Sequence, residues 1–378
     1  MKQIFIIVSV VFLLSSCIRE ELPNAEADIL ECIIPDMPAN VLNEIVIENN
    51  AVKIWVKPDV QIKTITPQFI LTDGATIFPL SGTPCNFEEK TEYLYTVTSQ
   101  DGKWQKEYKV VVSSYVLTQT EFQFEHYEKA IETANFQRFY ELNDEDKQYV
   151  WDSGNRGFAI VNGSVSAENY PTSSYANGKS GRGVKLTTTS TGAAGALVGM
   201  PIAAGNLYIG SFEVSKAMTA PLDATQFGFQ CKIGEPDYLK FWYKYQCGVV
   251  YKDKNGNVLQ KNDHPSVYAV LYEPVKKSDG TIERLNGANF TSAENIVSIA
   301  QLNSEINFED IVFSENIETE EYRQISIPFV DRKVIDLQKL SNGTYFLTIV
   351  FSSSENGGLF EGAVGSTLCI DEVQLICK

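Results

Sequence analysis

The chain reads as short apolar, β-branched and aromatic runs punctuated by Gly, Pro, Asn and Asp, the pattern of β-strands and turns. Residues 239–246, LKFWYKYQ, alternate so that Phe241, Tyr243 and Tyr245 share one face and Trp242, Lys244 and Gln246 the other. Residues 267–272, 324–329, 345–351 and 367–375 read as further strands. The last two flank Ser352-Ser353-Ser354 and a Gly-rich loop, which places that loop at a sheet rim where ligands can reach it. Only 291–302 and 336–340 are compatible with helix. Residues 151–158, WDSGNRGF, open a passage rich in Gly, Ser, Thr and Asn that predicts ordered loops.

Earlier in the chain the runs are shorter. Val46-Ile47 and 52–56 flank Asn49-Asn50, and Asp101-Gly102 joins 93–98 to 108–112 as a tight hairpin. Pro67, Pro79 and Pro84 fall at turns or edges. About seven short strands over 28–114, with no helical period, predict an immunoglobulin-like β-sandwich serving as a spacer. A boundary at 116–120 leads to a larger two-sheet sandwich over 120–378. The expected fold class is all-β throughout.

The first residues predict an address rather than a fold. Lys2 precedes an apolar run over 4–14, too short to span a bilayer, and Leu14-Ser15-Ser16-Cys17 closes it with small residues before a cysteine. This resembles the bacterial lipoprotein box, which implies a signal over 1–17, lipidation of Cys17 and anchoring to a membrane, with 18–27 as a tether. Glu20, Glu21 and Glu26 resemble the acidic export signal of surface lipoproteins in Bacteroidetes, which implies an outer-membrane, cell-surface location.

Composition narrows the partners. Across 378 residues, 31 Lys plus Arg against 48 Asp plus Glu give a net charge of −17, which disfavours nucleic acid and anionic lipid surfaces. With 44% apolar and 11% aromatic residues, disorder of the whole chain is excluded. Beyond Cys17 the six cysteines form no CxxC pair, so zinc is disfavoured and buried thiols are expected.

Several separated stretches carry a resemblance. Asn169-Tyr170-Pro171-Thr172, Gly181-Arg182-Gly183, residues 201–207 (PIAAGNL), Tyr243-Lys244-Tyr245, Ala269-Val270-Leu271-Tyr272, and the C-terminal FSSS, FEGAVGSTL and IDEV look like the putative carbohydrate metabolism domain of Bacteroidetes lipoproteins. The resemblance implies a jelly roll behind an immunoglobulin-like domain, with a pocket that holds an oligo- or polysaccharide. Other surface glycan-utilisation proteins are the implied partners, and no reaction comes with the resemblance.

The residues themselves offer little catalytic equipment. His126 and His264 are the two histidines, and neither adjoins a nucleophile elbow; no Gly-rich loop joins a strand to a helix as a phosphate cradle would. Sugar binding needs aromatic faces and a few polar groups. Trp151, Tyr170, Trp242, Tyr245 and Tyr272 are the candidate faces, and Arg156, Lys244, Ser353, Ser354 and Glu361 the candidate polar contacts. Binding without catalysis is expected; if the protein is instead a glycoside hydrolase, Glu273 and Glu361 are the carboxylate pair. No cofactor is expected beyond a structural calcium between Glu125 in the first strand and Asp371 in the last, since hard oxygen ligands suit that ion.

Overall fold

A computed structural model of the chain describes residues 23–37, 42–56, 62–114, 116–131, 134–143, 146–277, 282–302 and 311–378. The lipid-anchor reading at Cys17 and the first part of the tether lie outside the described residues. Those described divide into two compact units, 23–113 and 114–378. Both are β-sandwiches, and no described helix is long and apolar enough to cross a membrane.

The first unit is built on a five-stranded sheet. Its order is Leu42–Ile47, Ala51–Val56, Gln105–Ser114, Glu92–Thr98, Thr76–Phe78. Both expected hairpins form: Ile47 pairs with Val52, and Thr98 with Gln105 around Gly102, whose φ of +70° suits glycine. Alternate residues Val52, Ile54, Tyr95, Val97, Tyr108 and Val110 point inward with Ile29 and Phe69, which belong to the antiparallel pair Ile29–Ile33 and Gln68–Leu71.

In the second unit the two C-terminal strands occupy central positions in different sheets. Phe346–Ser352 lies inside the larger sheet, between Ser266–Tyr272 on one side and Phe229–Cys231 and Asn206–Phe212 on the other. Ile296–Leu302 extends that sheet beyond Ser266–Tyr272, and Trp151–Asp152 and Thr225–Phe227 pair with Asn206–Phe212. Thr367–Cys377 lies inside the smaller sheet, between Gly183–Thr187 and Pro236–Gln246, with Thr172–Tyr175 and Arg323–Pro328 outside them. The alternation in Pro236–Gln246 holds: Phe241, Tyr243 and Tyr245 are buried, and Phe241 meets Phe351 of the opposite sheet edge-to-face at 5.2 Å.

Two local expectations give way. Residues 291–302 are not helical; Ile296–Leu302 is a strand, because its β-branched residues are buried on both faces. Residues 151–158 are not a loop; after Trp151–Asp152 the chain turns into the helix Asn155–Asn162. Asn155 anchors that helix to the neighbouring strand, its Nδ2 donating to Thr172 O and its Oδ1 accepting from Thr172 N. The expected helix near 336 forms as Leu337–Asn342, with the Asp336 carboxylate capping Gln338 N and Lys339 N. The six described cysteines are free thiols.

Candidate functional site

The centre of the larger sheet is buried on both faces. Ser266–Tyr272 has no exposed residue, and neither does Phe346–Ser352. One face packs on the smaller sheet; the other lines a cavity of about 480 Å³, a volume suited to a small ligand. Strand periodicity decides which residues reach it. Asn206, Tyr208 and Phe212, Ser266 and Tyr268, and Val350 and Ser352 line the cavity, while Leu207, Val267 and Phe351 between them are buried in the core.

Rings form a continuous wall. Tyr208 meets Phe227 at 4.9 Å, Phe227 meets Phe290 at 5.2 Å and Phe290 meets Tyr268 at 4.7 Å, each edge-to-face. The Tyr208 hydroxyl is buried without a hydrogen-bond partner, and burial, helped by the nearby Asp152 charge, raises its pKa well above the ordinary tyrosine value. Asp152 is held by Phe212 N at 2.9 Å and Ser153 N at 2.8 Å, with Arg156 Nε 3.8 Å away.

The segment after Phe351 closes the cavity. Asp263, fully buried, accepts from Ser354 Oγ at 2.5 Å, Ser366 Oγ at 2.7 Å, Ala363 N at 2.8 Å and His264 N at 3.0 Å. Thr188 Oγ1 bridges Ser353 Oγ and Ser354 Oγ. Gly357 lies so close to Ala204 that an added Cβ would stand 2.2 Å from the alanine Cβ. Among the described residues Glu355 is the one charged residue in the cavity lining, and Lys261 lies 3.7 Å from its carboxylate.

The residues expected to hold sugar do not converge. Trp151 is 1% exposed and packs in the core against Phe122 and Phe124, at 5.0 and 5.2 Å. Tyr170 is buried against Phe136 and Phe158, its hydroxyl donating to Gly163 O. Tyr245 donates to Ser353 O and Tyr272 to Phe227 O, both fully buried. Trp242 and Lys244 belong to the smaller sheet, where Lys179 covers the indole and Lys244 stands between the rings of Tyr175 and Tyr322. Arg156 pairs with Asp152 outside the cavity lining. Of the ten, Ser354 alone lines the cavity, and its hydroxyl is engaged by Asp263 and Thr188. Ser353 is buried beneath it.

The carboxylate pair is also separated. Tyr272 is paired with Phe346 and Ser266 with Ser352, so Glu273 follows one end of the strand pair. Glu361 sits beyond the other end, its N bonded to Asn356 O. A strand's length, about 20 Å, divides them, against the roughly 5–9.5 Å that paired-carboxylate hydrolysis uses. Glu273 is instead paired with Lys339 at 2.7 Å. Sequence reading missed Tyr208, Phe227, Tyr268, Phe290 and Glu355. The available signal was the lack of alternation in 267–272 and 345–351, which marks strands covered on both faces.

Glu125 and Asp371 do approach one loop. Both Glu125 oxygens accept from Arg182 N, while Asp371 accepts from Ser180 N and Glu372 N. Among the described residues no group of three or more His, Cys, Asp or Glu is placed to hold a metal. Burial, together with repulsion from Asp371 and Glu125, lifts Glu141 from an ordinary 4.5 to about 7 despite amide donors at Phe124 and Gln123. Burial likewise lifts Asp371 to about 6. Between these folded values and the ordinary ones the folded chain holds protons the unfolded chain has released, so stability falls as pH rises from about 4.5 to 7. In EDTA, Glu141→Gln is expected to flatten that slope and stabilise the protein at pH 8 by on the order of 2 kcal/mol. Urea denaturation at both pH values checks it, and an unchanged slope counts against it. Calcium between Glu125 and Asp371 would keep the carboxylates ionised, so repeating the titration with calcium tests that expectation.

Comparison with known families agrees with the sequence resemblance. The model of the putative carbohydrate metabolism domain matches residues 123–376. The chain belongs to that family. A second family, described as SGBP, N-terminal, matches residues 30–112. Among solved structures, one described as a putative glycoside hydrolase from Bacteroides thetaiotaomicron is 40% identical, covers 95% of this chain and 99% of its own, and has a TM-score of 0.65. Another with the same description, from Bacteroides vulgatus, is 36% identical, covers 70% of this chain and 100% of its own, and has a TM-score of 0.61. No curated protein matches.

Proposed function

We propose that the protein holds a saccharide in the cavity of its second sandwich and, anchored by lipid on Cys17 at the bacterial surface, serves carbohydrate acquisition by binding rather than cleavage. The observation that carries this reading is the cavity itself, ring-walled and with a single carboxylate among its described lining residues. Rings cover the apolar faces of a pyranose, and a lone carboxylate does not make the pair that most glycoside hydrolases use. The carbohydrate-metabolism family and the SGBP N-terminal match support the setting. The apolar run ending in Ser16-Cys17 supports the anchor, and Cys17→Ala is expected to move the protein out of the membrane fraction.

The experiment begins with a soluble chain starting at residue 18 on a glycan array, followed by calorimetry on the hits. Tyr268→Ala is expected to weaken binding tenfold or more, about 1.4 kcal/mol; unchanged affinity removes the sugar from this cavity. Catalysis is the second reading, favoured by Glu355 in the cavity and by the description of the two similar structures. If reducing ends appear on incubation with a bound glycan and Glu355→Gln abolishes them, the enzyme reading replaces the binding one.

A further inference from the structure

Seven of the cavity's polar side chains are committed to the protein, while the Tyr208 hydroxyl has no partner. Asn155 is bonded to both backbone groups of Thr172, Asn206 accepts from Gly154 N and donates to Ala204 O, and Thr172 Oγ1 donates to Asn206 O. Thr225 donates to Leu222 O and accepts from Gly287 N, Thr191 donates to Met200 O, and Ser352 donates to Ser354 O. Ser354 is taken by Asp263. Much of the remaining wall is apolar: beside the rings stand Met200, Ile202, Ala203, Ala204, Met218 and Leu222.

This distribution selects among saccharides. A hydroxyl moved from water against the engaged groups of this wall loses a hydrogen bond unless it reaches the unpartnered Tyr208 hydroxyl, and the penalty grows with each further hydroxyl buried. A methyl group gains from the same surface. Among the described residues the lining carries Glu355 as its one charged group and no cationic one to meet a uronic or sialic acid.

We infer that the cavity selects a neutral sugar residue carrying an acetyl group, whose methyl packs on the apolar wall formed by Met200, Ile202, Ala203, Ala204, Met218 and Leu222. O-acetylation removes the hydroxyl donor and adds a carbonyl acceptor and a methyl, while an acetamido group in place of a hydroxyl keeps one donor, its N–H, and one carbonyl acceptor and adds the methyl; in both the methyl is what the apolar wall gains. This selectivity rests on the saccharide reading above, and the test separates the two.

Two pairs of neutral probes differ by acetyl-bearing groups: N,N′-diacetylchitobiose against cellobiose, with acetamido in place of hydroxyl, and acetylated against chemically deacetylated xylo-oligosaccharides. Calorimetry on the chain starting at residue 18 is expected to show at least tenfold tighter binding of the acetylated member of one pair. Ala288→Trp, which places a large ring at an exposed position of the lining without removing a core side chain, is expected to abolish that binding while leaving the melting temperature unchanged. Equal or weaker binding of the acetylated member in both pairs, with Tyr268→Ala still weakening it, overturns the acetyl selectivity and leaves the saccharide reading in place. Absence of binding to all four probes overturns the selectivity, and absence from the whole glycan array overturns both. Retained binding in a folded Ala288→Trp variant overturns the location.

Discussion

Trp151→Ala is expected to destabilise the second sandwich by about 3–5 kcal/mol, the range for removing a buried aromatic side chain. Trp151 is 1% exposed, and its ring sits among Phe122, Phe124 and Phe351, drawn from three other strands or their flanks. The indole Nε1 has no hydrogen-bond partner, so the loss is one of packing and cavity formation rather than of a polar contact. Trp151→Phe keeps an aromatic ring and is expected to recover more than half of that loss. Urea unfolding, followed by a probe assigned to the second unit, measures both variants, because a two-unit chain need not unfold in a single step. A loss below 1 kcal/mol for the alanine variant would remove Trp151 from the structural core. If such a stable variant also lost glycan affinity, the tryptophan would return as a sugar platform.

That reassignment shows where sequence reading reached and where it stopped. Strand identity was legible because alternation and punctuation are local: Phe241, Tyr243 and Tyr245 point inward as the pattern required. The hairpins around Asn49-Asn50 and Asp101-Gly102 were equally legible, since turn geometry is set within a few residues. Site residues were not. An aromatic beside Gly, Ser and Asn looks like a loop platform, yet Trp151 begins a strand and Arg156 lies on a helix that the Asn155 clamp to Thr172 fixes from a distance. Likewise FSSS has the composition of an exposed strand end. Its hydroxyls turn inward only because Asp263 and Thr188, 91 and 165 residues away, arrive from other parts of the fold. The uninterrupted apolar character of 345–351 did hold the answer: a strand with no polar face has something on both sides, and here the second cover is the cavity and its loops.

Asp263 gives the second large effect and joins stability to the cavity. Its carboxylate receives two hydroxyl and two backbone donors at zero exposure, and it ties Ser354 and Ala363, on either side of the 355–361 segment, to one point. Burial pushes its pKa upward while the four donors pull it back, so the group is stable in the fold only with those donors in place. Removing the acceptor leaves the donors without partners and without water, and Asp263→Ala is expected to lose about 3–5 kcal/mol. Asp263→Asn keeps one oxygen and the volume but sets an amide N–H against a site filled by donors, so about half that loss is expected. Because Glu355, Asn356, Gly357 and Phe360 form one wall of the cavity, either variant is also expected to weaken glycan binding at temperatures where the sandwich remains folded. Urea denaturation and calorimetry on the same preparations separate the two effects. Stability within 1 kcal/mol of the parent would show that the loop is held by something other than this carboxylate, and unaltered affinity in a destabilised variant would free the cavity wall from its control.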